Sequence, residues 1–274
     1  MPFIKNMASS GTSIVPLREY AWFLCLTRAD RRLRNQSLDS LRAFLSSRKT
    51  LDPSEACKLW QGLYYALYMA DRTLAQQALA TDLGALVEAV PPSARRTWLR
   101  GFWAVMARRW TEIDAHRMNK FLLLVRRVLG GALGLARREE KGEDESVVEQ
   151  TLVHGDSDEN NAGPLTTRID FGVMPVGLRM HVLDIWVDEC DKAGLLGRAE
   201  GAEEEQDTRL ARRIENLVDA VASTRGMAKA IRTRAKESLE DERLWWRRNG
   251  EAEGDGDGVA DGADDNDSWD GFDD

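Results

Sequence analysis

The chain has 274 residues, 43% of them hydrophobic, which suffices for one core of roughly 200–250 residues with tails. No run of about 18 apolar residues occurs, and the start MPFIKNMASSGTSIVPL lacks a charged stretch leading into an apolar one. Neither a membrane span nor a secretion signal is expected, and the chain reads as intracellular. The net charge of −8 conceals a split: residues 1–138 hold 22 Lys and Arg against 10 Asp and Glu, a net of +12 that leaves −20 for the remainder. A basic surface that meets a polyanion, together with an acidic tail that does not, accounts for such asymmetry. RNA is the first candidate; an acidic protein or the chain's own tail satisfies the same electrostatics.

Residues 1–16 read as a flexible N-terminus, and a helical pattern begins near Leu17. Leu33, Leu38, Leu41, Phe44 and Leu45 form a first stripe. Asp52-Pro53-Ser54-Glu55 is a helix start, in which Asp52 caps, Pro53 suits the first helical position and Glu55 completes a box-like arrangement. Ala56, Leu59, Trp60, Leu63, Tyr64 and Leu67 follow at helical spacing. Asp71 is expected to end that helix and cap the next, whose apolar residues Leu74, Ala78, Leu83, Leu86, Val87 and Val90 lead to the break at Pro91-Pro92. Two further stripes are Leu99, Trp103, Met106 and Trp110, and then Met118, Phe121, Leu122, Val125 and Leu129. Each has to bury itself against a neighbouring helix, while His116, Lys120 and Arg127 project from nearly the opposite side of the second.

Residues 139 to about 163 are acidic and poor in large apolar groups, and most of this stretch reads as a mobile surface loop, an insertion reaching to about residue 170. Helix resumes at Pro175, with Val176, Met180, Leu183, Val187 and Cys190 on a buried face that ends near Gly194. A second acidic break, 200–207, precedes a long pattern with Leu210, Ile214, Leu217, Val218 and Val221, interrupted at Gly226 and resumed through Leu239. The last 24 residues hold eleven acids and no base, so residues 249–274 are expected to be a disordered acidic tail in which Trp269 and Phe272 are available to anchor a partner. The expected fold is all-α: one scaffold domain over residues 17–248, built as a HEAT-like array of antiparallel helical hairpins.

Chemistry is what the pattern lacks. Gly130-Gly131 lies inside a helical pattern without the lysine and serine spacing of a phosphate loop. No G-x-S-x-G elbow or Cys/His signature occurs, and the abundant carboxylates sit in segments that hold no fixed separation. Cys25, Cys57 and Cys190 are odd in number and each embedded in apolar pattern, so reduced thiols are expected; His116, His154 and His181 make no metal-ligand spacing. No cofactor, metal or small-molecule substrate is implied. The Gly-Asp alternation of the tail lacks the ordered ligand pattern of a calcium loop.

The nine tryptophans either stack on bases or fill gaps between helices; Trp60, Trp103 and Trp110 lie within apolar stripes, which favours packing. Arginines differ, because they cluster on successive helices. A basic ridge for RNA or a partner is expected from Arg31 and Arg32, Arg96 and Arg100, Arg108 and Arg109, and Arg117, Lys120, Arg126 and Arg127.

Four blocks carry a specific likeness: SLRAFLSSR at 40–48, KLWQGLYYALYMADR at 58–72, FWAVMARRWTEIDAHRMNKFLLLVRR at 102–127 and MPVGLRMHVLDIWVDE at 174–189. With them the chain resembles the ribosomal RNA-processing protein 1 family, nucleolar assembly factors of the large ribosomal subunit with a Nop-type domain. Trp110, Ile113-Asp114, Arg117, Lys120, Phe121 and Val125-Arg126-Arg127 form its most distinctive signature. The resemblance implies a HEAT-like scaffold without catalytic activity that joins nucleolar 60S precursors and is needed for maturation of 27S pre-rRNA. It also implies partners among other assembly factors, including Brix-domain and WD-repeat proteins. Asn119 and Ala115 depart from more charged positions, and a short acidic tail stands where some relatives carry a long basic extension. The alternative reading is a helical protein–protein adaptor that binds acidic partners without touching RNA.

Overall fold

The computed structural model describes residues 31–138, 143–153, 163–168, 174–197 and 204–247. The readings of the N-terminus, of Cys25 and His154, and of the acidic tail with Trp269 and Phe272 lie outside them. All regular structure among the described residues is helical: α1 (Arg31–Ser46), α2 (Pro53–Tyr68), α3 (Thr73–Gly84), α4 (Pro92–Arg109), α5 (Ala115–Arg138), α6 (Glu143–Val153), α7 (Val176–Lys192), α8 (Glu204–Ser223) and α9 (Lys229–Leu239), with short 3-10 turns at Ala85–Ala89 and Trp110–Glu112. None of these helices is long and apolar enough to cross a membrane.

Packing follows a simple rule. From α2 to α7 the main partner of a helix lies two places away in the chain, α2 with α4, α3 with α5, α4 with α6 and α5 with α7, whereas α8 and α9 pack mainly on each other, with α8 also touching α6 and α9 touching α7. Consecutive helices pack closely at α5/α6 and α8/α9. Such alternation is consistent with the expected HEAT-like array, although between α2 and α5 the dominant contacts skip a helix instead of closing sequential hairpins. Close approach explains the α3–α5 contact: a Cβ on Gly84 would stand 2.6 Å from the Arg127 carbonyl oxygen, and one on Gly131 2.6 Å from that of Gly84. The glycines let two backbones touch where any side chain would separate them.

Helix α2 starts as its sequence dictates, Asp52 Oδ1 accepting from the Ser54 N–H at 2.8 Å and the Glu55 N–H at 3.3 Å, with Pro53 in the first turn. The Glu55 carboxylate does not return to the cap; it accepts from Arg48 at 3.2 Å. Helix α3 departs further from expectation. Its N-cap is Arg72 rather than Asp71 and has no side-chain capping bond, and Leu74 is 81% exposed while Leu79, Ala80 and Leu83 are buried. Apolar residues lie all round this short helix, so its inward face could not be told from spacing.

Two acidic stretches also hold structure that composition hid. Helix α6 lies within the expected loop and buries Val148, Thr151 and Leu152 against α4, α5 and α8. Leu165 is buried as well, its N–H donating to the Leu152 carbonyl at 2.8 Å. Helix α8 begins at Glu204, inside the expected second break. By contrast α7 runs from Val176 to Lys192 and is followed by Gly194 at φ +71°, close to the expected bounds.

Candidate nucleic-acid interface

Helices α4 and α5 carry most of the expected ridge, and their cores decide where its arginines point. Trp60, Trp98, Phe102 and Trp103 pack ring against ring between α2 and α4, with Trp60 Nε1 donating to the Trp98 carbonyl at 2.9 Å. Trp110 and Trp186 are buried too, the latter donating to Ser238 Oγ at 3.1 Å. These five indoles serve packing, as the stripes predict for Trp60, Trp103 and Trp110.

At the exit of α2 a second cluster stacks Tyr64 on Phe121 and Tyr68, and Arg109, Arg117 and Lys120 gather round it. Lys120 is a correction to the expected ridge. It is only 6% exposed, and Nζ donates to the Tyr68 carbonyl at 2.7 Å and the Ala70 carbonyl at 2.8 Å. Carbonyls at a helix C-terminus carry about half a negative charge, which offsets part of the cost of burying the ammonium. That burial, reinforced by Arg117 nearby, holds its pKa below the usual lysine range. Lys120 therefore ties α5 to the α2 exit and presents nothing to a ligand.

Its neighbours are engaged as well. Arg117 pairs with Asp114 and lies over the Tyr68 ring, and Arg109 pairs with Glu112 at 2.8 Å. The Arg117 hydrogen bond holds the Asp114 carboxyl below its ordinary range. Arg126 turns toward α7, 3.1 Å from Asp188 and 3.5 Å from the buried Glu189. Arg100 is half-buried, Arg32 is exposed, and the side chain of Arg31 lies outside the described set.

Three of the ten expected positions remain: Arg96, Arg108 and Arg127 are exposed, and no ion pair or hydrogen bond engages their side chains among the described residues. Arg127 joins Arg34 and Arg72 along a groove of about 1200 Å³ beside α1 and α3. Arg72 was absent from the expected ridge; the signal available was the surplus of apolar residues on α3, which obliges one leucine beside it to face outward. The described residues contain no group of three His, Cys, Asp or Glu side chains placed to hold a metal ion. Cys190 is a buried free thiol, and burial pushes its pKa up, away from the reactive thiolate.

With this geometry in view, the comparison with known proteins is specific. The family described as "Nucleolar protein, Nop52" matches residues 23–271. The chain belongs to that family. Relatives of this Nop52 chain include a mouse ribosomal RNA processing protein 1 homolog A, 32% identical over 59% of this chain and 32% of the mouse protein. The human homolog A is 28% identical over 76% of this chain and 45% of its own length, and a Caenorhabditis elegans homolog is 27% identical over 54% and 35%. The chain thus spans a third to under half of these relatives. The four blocks of likeness fall on α1, α2, α4–α5 and α7, and they hold Trp60, Tyr64, Phe102, Trp103, Phe121 and Lys120 of the aromatic clusters and the bridge, while Trp98 lies outside them.

Proposed function

We propose that this Nop52 chain is a non-catalytic helical scaffold in ribosomal RNA processing, acting in the nucleolus within precursors of the large (60S) subunit and serving maturation of 27S pre-rRNA. Family membership and the ribosomal RNA processing role for which its relatives are named support the process. One structural observation supports RNA as the polyanion: Arg96 and Arg108 on α4 face solvent with no carboxylate engaging them among the described residues. A guanidinium that has no internal partner and a rigid, tryptophan-packed helix beneath it suits phosphate contact. Such contacts release counterions, so two of them give RNA binding a log–log salt slope of roughly −1.5. Other assembly factors would occupy the remaining surfaces of the array.

Affinity purification of the tagged protein, with identification of its RNAs and proteins and mapping of ultraviolet crosslinks, tests the proposal. Large-subunit precursor RNA is expected in the eluate, with adducts on the α4 segment. Recovery of protein partners alone, with no precursor RNA and no adduct, would replace the scaffold on RNA by an adaptor between proteins.

A further inference from the structure

The groove beside α1 and α3 is unlike the α4 surface in composition. Arg34, only 9% exposed, lies in its wall, Arg72 and Arg127 stand at its rim, and Leu74 lies in it 81% exposed. No hydrogen bond or ion pair engages any of the three guanidinium groups among the described residues. The two carboxylates of the lining do not cancel them. Asp82 faces Arg42 at 3.6 Å, and Asp71 lies in the field of Arg117 and Lys120. At the same end α3 begins without a side-chain cap, so its first N–H groups add positive potential.

We propose that this groove binds an acidic protein segment that carries an aliphatic side chain among its carboxylates. Charge complementarity selects the acids: three unengaged guanidinium groups, one of them largely buried, favour bidentate pairing with carboxylates. The leucine selects a peptide over RNA. An exposed leucine beside Ala75 and Ala78 gains from an apolar partner side chain, which a phosphodiester backbone does not offer. No aromatic side chain lines the groove among the described residues, so a nucleotide base finds no stacking surface. A volume of about 1200 Å³ holds several side chains of an extended segment. This site is separate from the α4 arginines, so either can fail without the other.

Fluorescence anisotropy on the full chain tests it, using a labelled peptide of repeated Asp-Asp-Leu triplets, an all-Asp peptide of the same length and an oligouridylate. The Asp-Asp-Leu peptide should bind best. Arg72→Glu and Arg127→Glu should each weaken it about tenfold or more, the loss of one charge-assisted pair. Leu74→Ser should weaken it about threefold by removing apolar contact, while Arg108→Glu leaves it unchanged. All three groove positions are exposed, and circular dichroism of each variant checks the fold. Three results overturn the proposal: no peptide binding above the Arg72→Glu background, equal binding of the all-Asp peptide with no effect of Leu74→Ser, or oligouridylate displacing the peptide in a manner that Arg72→Glu abolishes.

Discussion

Arginines that reach α7 and those that stand outward on α4 and α3 have opposite fates. Against α7 and the segment after α9 they are taken up by carboxylates: Arg243 reaches Asp188 at 2.9 Å and Asp241 at 2.7 Å, Arg126 shares Asp188, and Arg234 pairs with Asp184 at 3.2 Å. The Arg243 bond keeps the Asp188 carboxyl below its ordinary range, and the same pairs push the Arg243 guanidinium up. On α4 and at the start of α3, Arg96, Arg108 and Arg72 stand exposed instead. Net charge therefore misjudges a binding surface in both halves. What counts is the charge left after the fold has met its own needs.

Each half also contains a buried cation that donates to two backbone carbonyls, Lys120 and Arg179, and these two should give the largest effects. Lys120→Met keeps the stem but strands the Tyr68 and Ala70 carbonyls, and should lower unfolding free energy by about 2–3 kcal/mol in chemical denaturation. Arg179, 4% exposed, donates to the Thr166 carbonyl at 2.7 Å and the Arg168 carbonyl at 3.1 Å. Arg179→Met should cost a similar amount, about 2–3 kcal/mol, by releasing that segment from α7. If either variant is as stable as the parent, the distinction between inward and outward cations fails.

The carboxylate network should matter less, because its members are partly exposed. Asp188→Asn removes pairing to Arg126 and Arg243 and should cost about 1 kcal/mol, diminishing in high salt. A pH effect arises at the α5–α7 contact, where His181 Nε2 lies 2.9 Å from the Leu122 carbonyl oxygen. Burial lowers the His181 pKa below its ordinary 6.5. The unfolded chain therefore takes up a proton before the folded one does. Stability is fully present above about pH 6.5 and falls on acidification toward the folded pKa, by at most about 1.4 kcal/mol per pH unit for one proton. His181→Gln should flatten this part of the melting-temperature profile; an unchanged profile would place the titration elsewhere. Smallest of all, Arg108→Glu should shift stability by no more than about 0.5 kcal/mol, since the side chain engages nothing in the fold.

Much of the array was legible because its signals are local. Asp52-Pro53 starts α2, and Leu99, Trp103, Met106 and Trp110 bury where their spacing says, as do Phe121, Val125 and Leu129, while Met118 and Leu122 of the second stripe are only half-buried. The failures share a non-local cause. Lys120 reads as surface on a helical wheel, yet its partners lie 52 and 50 residues away in sequence. Helix α6 has few apolar residues, and only the groove between its neighbours makes Val148 and Leu152 sufficient. In α3 the apolar surplus concealed which side faces in, and with it the exposed Leu74 beside Arg72.

The central claim is that RNA contact follows the unengaged arginines and not the overall charge. Its most direct measurement is recovery of large-subunit precursor RNA with a tagged Arg96→Glu/Arg108→Glu double variant, compared with a tagged Arg234→Glu variant that carries a single reversal on α9 and with the parent. Loss of precursor RNA from the α4 variant, with unchanged circular dichroism and with recovery retained by the α9 variant, is the predicted result. Equal recovery from all three proteins would contradict the account.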